Sequence, residues 1–310
     1  MKHVILGTSG VPVSILCLGA MHYGSREADD LSMQLLDRFC EAGGDFIDTA
    51  NIYAHWTPTG KGGDSEILLG KWMKTRGNRR QVFIASKVGF AYPGTEFGLG
   101  ARQIETECER SLKRLGTETI DLYYAHVDDR KIPLEEVMGA FEKLVRSGKV
   151  RFVGGSNYRA WRLEKARQVS LINGWVTFCC IQQRYTYLRP AEGASFGAQI
   201  SGNTDLLDYS KSESVTIVAY SPLLAGAYAR TDRQFQSQYL THETDRRLKT
   251  LNDVAVECQA TPNQVILAWM MHSDPPVIPV FGASTMQQMD ENLGSLDVHL
   301  SEEQMKRLNE

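Results

Sequence analysis

The feature of this sequence that most constrains its fold is a regular alternation of short apolar runs with segments of helical period. The runs are rich in β-branched and aromatic residues and do not alternate polar with apolar, as expected for parallel strands covered on both faces. Eight such strands are predicted, at 16–18, 46–47, 82–85, 120–125, 150–153, 178–181, 215–219 and 277–280. Strand and helix alternating eight times favour an α/β fold with a closed (β/α)8 TIM barrel over an open doubly wound sheet, which usually needs fewer strands.

Several intervening segments carry the expected signals at helix ends. An apolar stripe over 134–145 lies between Pro133, at a first helical position, and Gly148, at a C-terminal cap position. Thr261-Pro262 opens a further helix, and Asp29 or Asp30 is the predicted cap of the first one. Ahead of the barrel, runs at 4–6 and 13–15 flank Gly7-Thr8-Ser9-Gly10. They predict an N-terminal β-hairpin that plugs the bottom of the barrel.

Composition excludes several classes of protein. The apolar fraction is 42% and the formal net charge is −3, so intrinsic disorder and a basic nucleic-acid footprint are both disfavoured. No window approaches the roughly 20 apolar residues of a membrane-spanning helix. Six cysteines without C-x-x-C or zinc spacing indicate reduced thiols and no metal site. We therefore expect residues 1–310 to form one cytoplasmic domain with no membrane or nucleic-acid partner, and the oligomeric state stays open.

Polar side chains end three neighbouring strands. Asp48, Lys87 and His126 each follow an apolar run, and they are spaced 39 and then 39 residues apart, one βα unit each. Because loops after the strands form one face of such a barrel, these side chains are expected to converge there. Tyr53 follows Asp48 by five residues, so its loop can fold back over the same mouth.

These four residue types suit one kind of chemistry. A phenol has a pKa near ~10 and is a poor acid at neutral pH, but a close ammonium stabilises the phenolate and lowers that pKa. A carboxylate holds the ammonium in place, and an imidazole can orient a carbonyl oxygen. Together they make a general acid for an alkoxide, as carbonyl reduction requires. Since no side chain can donate a hydride, a nicotinamide must supply it.

A longer pattern surrounds these residues. Nine short segments carry it, namely CLGAMHYG (17–24), FIDTANIY (46–53), SEILLGKW (65–72), FIASKVG (83–89), LYYAH (122–126), VRFVGGSN (150–157), IQQRY (181–185), VAYSPL (218–223) and GASTMQQMDENL (282–293). Their order and spacing together resemble the aldo-keto reductases over nearly the whole chain. The resemblance implies an NADP(H)-dependent oxidoreductase that interconverts an aldehyde or ketone and the alcohol. It also implies that Asp48, Tyr53, Lys87 and His126 are its catalytic residues and that Tyr53 is the proton donor.

The same resemblance implies an extended nicotinamide cofactor lying across the rim. Its predicted contacts are Gly19, Met21, Asp48, Ser156, Asn157, Gln182, Tyr220, Ser221, Pro222, Leu223, Ser284, Gln288, Glu291 and Asn292. Of these, 156, 157 and 182 would hold the carboxamide, 220 would stack on the ring, 221–223 would approach the pyrophosphate, and 284–292 would lie near the adenosine half. Many relatives carry Arg or Lys for the 2′-phosphate where this chain has Gly282 and Gln288. NADP(H) is favoured, and NAD(H) stays open as the alternative.

The small-molecule substrate is expected to contact aromatic side chains in loops that follow the first three strands. Tyr23, His55, Trp56 and Tyr92 are the predicted substrate residues, with Met21 and His22 beside them. An aromatic lining with polar edges suits aldehydes, cyclic ketones or sugar rings.

Three other functions have weaker support in the sequence. A serine hydrolase is disfavoured because the G-x-S-x-G pattern at 193–197 follows Pro190 and lacks the preceding buried strand that a nucleophile elbow needs. A Schiff-base aldolase using Lys87 would need an uncharged amine, which Asp48 opposes. A cofactor-binding regulatory subunit with vestigial turnover, like the potassium-channel β subunits, remains an alternative.

Overall fold

The eight predicted barrel strands are present in the computed structural model, which describes residues 1–58 and 60–310. They close into one parallel barrel in which each strand pairs with the next one along the chain and the last pairs with the first, which confirms the predicted (β/α)8 fold. The barrel strands are β3 (Cys17–Gly19), β4 (Phe46–Asp48), β5 (Phe83–Val88), β6 (Ile120–Ala125), β7 (Val150–Ser156), β8 (Cys180–Arg184), β9 (Thr216–Tyr220) and β10 (Ile278–Phe281).

Several strands run further toward their carboxyl ends than the apolar runs predicted. Asp48, Lys87 and Gln182 lie within β4, β5 and β8 rather than after them. The ladder continues through these polar residues; Lys87, for example, pairs with Tyr124 in β6. Backbone hydrogen bonding, which hydropathy does not report, therefore sets where these strands end, and it places polar side chains on rigid backbone.

Ten helices are assigned within the described part of the chain. They are α1 (Asp29–Glu41), α2 (Asp64–Arg76), α3 (Ala101–Leu115), α4 (Leu134–Arg146), α5 (Ala160–Asn173), α6 (Thr204–Glu213), α7 (Thr244–Glu257), α8 (Pro262–Met271), α9 (Met286–Leu293) and α10 (Glu302–Asn309). None of these helices has the length and apolar character needed to cross a membrane.

The predicted helix ends are confirmed in part. Thr261 caps α8 through a capping box with Gln264, and Pro262 is its first residue. Pro133 is the N-cap of α4 rather than its first helical residue. The predicted aspartate cap of α1 is wrong: Ala28 occupies the N-cap without a side-chain hydrogen bond, and both aspartates lie in the first turn. Negative charge there still favours the helix, because the amino end of a helix is electropositive.

The N-terminal hairpin is also present. It comprises β1 (His3–Ile5) and β2 (Pro12–Ser14), which pair antiparallel with Val4 opposite Val13. Leu6 and Val13 are fully buried and pack in one cluster with Phe46 and Phe83, the first residues of β4 and β5. The hairpin therefore closes the barrel at the end opposite the carboxyl ends of the strands, as predicted.

Candidate active site

Three polar side chains meet at the carboxyl ends of β4 and β5. Lys87 donates hydrogen bonds from Nζ to Asp48 Oδ1 at 2.5 Å, to the Thr49 carbonyl oxygen at 2.7 Å and to the Tyr53 hydroxyl oxygen at 2.8 Å. An ammonium has three N–H donors, so all of them are used. Because the Tyr53 oxygen accepts from Lys87, its own O–H stays free to donate elsewhere.

The Lys87–Asp48 pair is sealed from solvent. Lys87 is 0% exposed and Asp48 is 2% exposed. The second oxygen of Asp48 accepts from Gln182 Nε2 at 2.7 Å, so both of its oxygens have partners. Burial acts to lower the pKa of Lys87, but Asp48 and Tyr53 outweigh it and the pKa is raised. The amine is therefore held as a cation, which disfavours the Schiff-base alternative.

The acidity of Tyr53 differs from the simplest expectation. Burial raises the pKa of this phenol to about 12, and the Lys87 charge lowers it by less than burial raises it. The ammonium lowers the pKa of Tyr53, as predicted, but in the free protein burial raises this pKa by a larger amount. Tyr53 is consequently a protonated donor at neutral pH.

His126 follows β6 and faces the same phenol. Its ring centroid lies 6.2 Å from that of Tyr53, in an edge-to-face arrangement. Burial, and secondarily the Lys87 charge, lower the pKa of His126 well below its usual value, so the imidazole is neutral. Within the described residues its Nδ1 is buried and has no hydrogen-bond partner. A neutral imidazole can donate one hydrogen bond, which suits the orientation of a carbonyl oxygen.

Aromatic rings lie beside Tyr53 and His126. The Trp56 ring lies 6.0 Å from Tyr53, and Phe90 lies 4.7 Å from His126 and 6.1 Å from Phe97. Trp56 and Phe97 are exposed, and we call Trp56, Phe90 and Phe97 the aromatic wall. Sequence reasoning missed the two phenylalanines, although both lie in the Gly89–Gly100 loop that follows β5.

The other predicted substrate residues have different surroundings. His55 lies beside Trp56, with ring centroids 5.1 Å apart. His22 also faces Trp56, at 6.3 Å. Tyr23 is only 1% exposed, and its hydroxyl donates to the Ala283 carbonyl oxygen. The Tyr92 hydroxyl is turned onto Glu107 of α3, at 2.6 Å. Trp56 therefore lies beside the phenol, His55 and His22 pack against Trp56, and the hydroxyls of Tyr23 and Tyr92 are hydrogen-bonded within the protein.

Residues predicted to hold the nicotinamide carboxamide cluster at the ends of β7 and β8. Asn157 donates to the His126 carbonyl oxygen and to Ser156 Oγ, while its Oδ1 accepts from the Tyr220 hydroxyl and from the Ile200 amide. Its amide group is thus taken up by the protein. Among the described residues, Gln182 Oε1 has no donor and the Ser156 hydroxyl has no acceptor. These two groups match the donors and acceptor of a carboxamide.

The predicted pyrophosphate and rim contacts lie around the same mouth. Ser221 follows β9 with φ 56°, which begins a tight turn with Leu224 and Ala225 also at positive φ. The Pro222 carbonyl oxygen accepts from Thr186, and Leu223 is half-buried. Gly19 ends β3 and Met21, two residues later, is exposed.

The predicted adenosine contacts lie at and after the amino end of α9. Ser284 donates from Oγ to Glu27 Oε1 at 2.6 Å, and its backbone amide donates to Gln288 Oε1. Glu291 accepts from Thr261 of the α8 cap, and Asn292 donates to the Gly282 carbonyl oxygen. Sequence reasoning did not single out Glu27, which is buried and places a carboxylate beside Ser284.

Two excluded chemistries find no support in the described ranges. Ser195 lies in an irregular loop between β8 and α6, and its Oγ accepts from the Gly197 amide. No cluster of His, Cys, Asp or Glu in the described chain has the arrangement of a metal site.

Comparison with known proteins gives one consistent set of relatives. The family model described as "Aldo/keto reductase family" matches residues 15–310. The chain is 32% identical to norsolorinic acid reductase stcV of Emericella nidulans, over 97% of this chain and 79% of that protein. It is 31% identical to the uncharacterized oxidoreductase YrpG of Bacillus subtilis, over 100% and 95%. It is 32% identical to the aryl-alcohol dehydrogenase [NADP(+)] of Phanerodontia chrysosporium, over 97% and 83%.

Proposed function

Because the chain belongs to the aldo/keto reductase family, we propose that it interconverts an aldehyde or ketone and the alcohol with Tyr53 as general acid and base. The observation that carries this proposal is the complete use of the Lys87 donors, which turns the Tyr53 oxygen toward the amine and leaves its hydroxyl proton free. A nicotinamide dinucleotide supplies the hydride when bound.

In the reducing direction, the carbonyl carbon gains the hydride and its oxygen gains the Tyr53 proton. Lys87 stabilises the phenolate that is left, because its ammonium lies 2.8 Å from that oxygen. Asp48 keeps the ammonium charged and in place, and neutral His126 orients the substrate oxygen by a hydrogen bond. Ser156 and Gln182 would hold the carboxamide of a bound nicotinamide cofactor. In the oxidising direction, the same phenolate accepts the alcohol proton.

We propose an aromatic aldehyde or ketone as the substrate class. The aromatic wall provides stacking surface next to Tyr53 and His126. Two relatives carry names that fit this class, norsolorinic acid reductase and aryl-alcohol dehydrogenase. Sugar rings are the second candidate, since His55 and His22 add polar edges around Trp56.

For the cofactor, we propose NADP(H), which the name of one relative supports. NAD(H) is the second candidate, and Glu27 is the observation that favours it. Its carboxylate occupies the Ser284 hydroxyl and would repel a 2′-phosphate placed there. Separate fluorescence titrations with NADPH and NADH decide between them: tighter binding of NADH would overturn the NADP(H) proposal.

We also propose that residues 1–310 act as one domain in a reducing, cytoplasmic setting. The hairpin packs into the barrel, and Leu308 of α10 is fully buried. All six cysteines lie in the described residues and none is paired there.

The substitution Tyr53→Phe tests the mechanism. It removes only the hydroxyl, so reduction of 4-nitrobenzaldehyde should fall by about 10²–10⁴-fold while cofactor binding, followed by fluorescence, is retained. The matched control is Tyr209→Phe on α6, away from the site, which should keep its activity. Unchanged turnover of Tyr53→Phe would refute the assignment.

A carbonyl substrate panel and borohydride trapping separate the alternatives. A wild-type protein that binds cofactor but reduces no carbonyl in a panel of aryl, aliphatic and sugar substrates would favour the regulatory subunit. A covalent adduct on Lys87 after borohydride treatment with substrate would favour the aldolase. A response to sugars alone would overturn the aromatic class.

A further inference from the structure

A buried carboxylate on α3 lies behind the candidate site and takes no part in the proposed proton transfer. Glu107 is 1% exposed. Its Oε2 accepts from Asn51 Nδ2 at 2.7 Å and from the Tyr92 hydroxyl at 2.6 Å. Its Oε1 accepts from Arg110 at 2.7 Å and from Thr95 at 3.3 Å. Four donors on one side chain exceed what stabilising a single helix requires, and they come from three parts of the chain.

Asn51 connects this carboxylate to the proton donor. It lies three residues after Asp48 and two before Tyr53, and it is fully buried. Its backbone amide donates to the Lys87 carbonyl oxygen at 3.3 Å, and Glu107 holds its side chain. The loop thus has one anchor on the strand that carries Lys87 and another on α3.

The backbone beside Tyr53 needs such anchors. Ala54 has φ 77°, a left-handed conformation that is strained for a non-glycine residue and persists only where the surroundings determine it. A loop under this strain would relax if an anchor were lost. Relaxation would move the Tyr53 oxygen relative to the Lys87 nitrogen.

The second donor connects Glu107 to the aromatic wall. Tyr92 and Thr95 form a tight turn with backbone hydrogen bonds of 3.0 and 2.8 Å, and both side chains donate to Glu107. Phe90 and Phe97 of the aromatic wall lie on either side of this turn. Glu107 therefore holds, at one point, the loop that carries the proton donor and the loop that carries part of the wall.

We propose that Glu107 is a positioning residue for carbonyl reduction, setting Tyr53 through Asn51 and the aromatic wall through Tyr92. This inference rests on the proposed role of Tyr53. It gives Tyr92 an indirect part in substrate binding, exerted through the turn it stabilises rather than through contact with the substrate.

The size of the effect follows from geometry. A displacement of about 1 Å in a reacting group can cost about 10²-fold in rate. Glu107→Gln keeps the shape of the side chain but replaces one acceptor oxygen with an NH₂ group, so at least one pair of donors loses its partner. Glu107, Arg110 and Thr95 line a surface hollow of about 580 Å³, where water can replace a lost contact of the Arg110 or Thr95 side chain. The variant is therefore expected to fold.

The experiment measures kcat and KM for 4-nitrobenzaldehyde with the full chain. Glu107→Gln should lower kcat by at least about 10-fold and raise KM, with the cofactor dissociation constant unchanged within about 2-fold. Glu109→Gln is the matched control. It lies two residues along α3, its side chain is 55% exposed and pairs with Lys149, and it should match the wild type.

Two further variants separate the effect of Glu107 on Tyr53 from its effect on the aromatic wall. Asn51→Ala should lower kcat by about 10-fold and leave KM unchanged, because only the proton donor is released. Tyr92→Phe should raise KM by several-fold and leave kcat unchanged, because only the wall is released. A purely structural role for Glu107 predicts a lower unfolding midpoint in both variants with no such separation. If Glu107→Gln fails to fold, these two variants carry the test.

The outcomes distinguish this inference from the proposed function. If Tyr53→Phe is inactive while Glu107→Gln and Asn51→Ala match the wild type, the inference is overturned and the function stands. Equal changes of kcat and KM in Asn51→Ala and Tyr92→Phe also overturn it. If Tyr53→Phe keeps its turnover, the proposed function fails, and the inference fails with it.

Discussion

At the scale of single residues, the site is defined by a cation that burial alone would not tolerate. Lys87 is sealed in the barrel, where an unpaired ammonium would lose its proton. Asp48, the Thr49 carbonyl and the Tyr53 oxygen satisfy each of its donors, and the charge is kept. The same burial raises the pKa of Tyr53 to about 12 and depresses that of His126. Burial thus favours a protonated phenol and a neutral imidazole, while the hydrogen-bond partners of Lys87 keep its amine charged.

The depressed pKa of His126 predicts a pH dependence of stability. Above pH 6.5 the ring is neutral in both the folded and unfolded states, so it contributes no slope. Below pH 6.5 the unfolded chain binds a proton that the folded chain does not, so the free energy of unfolding falls by up to about 1.4 kcal/mol per pH unit. Urea unfolding between pH 5 and 7.5 should show a shallower loss for His126→Gln than for the wild type. The control His299→Gln, at an exposed position, should keep the wild-type slope, and identical slopes in all three proteins would contradict the prediction.

At the scale of elements, helix ends depend on side chains contributed by neighbours. The amino end of α8 is closed by Thr261, which accepts from the Gln264 amide and also donates to Glu291 of α9. The Gln264 side chain in turn donates to the Glu291 carbonyl oxygen. The N-cap of α8 is therefore also a joint between α8 and α9, formed by Thr261, Gln264 and Glu291. Local sequence signals identify Thr261 only as a cap.

Replacing Thr261 should lower the free energy of unfolding by more than the loss of the N-cap hydrogen bond alone. Thr261→Ala is expected to lower the free energy of unfolding by about 1–2 kcal/mol, measured from urea transitions, because it removes the N-cap acceptor and the partner of Glu291. Thr75→Ala is the comparison, since Thr75 is exposed on α2 and its hydroxyl bonds only to its own helix. It should change stability by less than about 0.5 kcal/mol. Equal losses in the two variants would show that neither the N-cap nor the contact with Glu291 contributes to stability.

At the scale of the whole molecule, the barrel separates stability from chemistry. The hairpin fills one end with Leu6 and Val13, and the polar residues gather at the other. A cavity made at the closed end therefore lies far from the groups that would bind substrate.

This separation predicts the behaviour of Leu6→Ala. Deleting a fully buried leucine should lower the free energy of unfolding by about 2–5 kcal/mol, while kcat of the folded protein stays unchanged. Ile5→Ala, on the exposed outer face of the same hairpin, should cost much less. Denaturant midpoints and steady-state rates at a temperature below both transitions provide the measurement. A fall in kcat that parallels the loss of stability would argue against the separation.

Much of the architecture can be predicted from the amino-acid sequence alone. The alternation of apolar runs and helical segments identifies all eight barrel strands, and the spacing of 48, 87 and 126 brings their side chains to one rim. These features are local, because hydrophobic period and chain length between strands act over one βα unit. The order and spacing of the nine segments indicate the aldo/keto reductase family, and the family model confirms this prediction.

Only the tertiary structure decided how these groups affect one another. Burial raises the pKa of Tyr53 by more than the neighbouring Lys87 cation lowers it. The side-chain oxygen of Asn157 accepts from the Tyr220 hydroxyl and from the Ile200 amide, and the Tyr92 hydroxyl donates to Glu107. Each outcome is a competition among groups distant in sequence for the same hydrogen bonds or the same dry volume. Residue type and spacing bring such groups to one rim, but desolvation and hydrogen-bond competition depend on the packed arrangement of every neighbour.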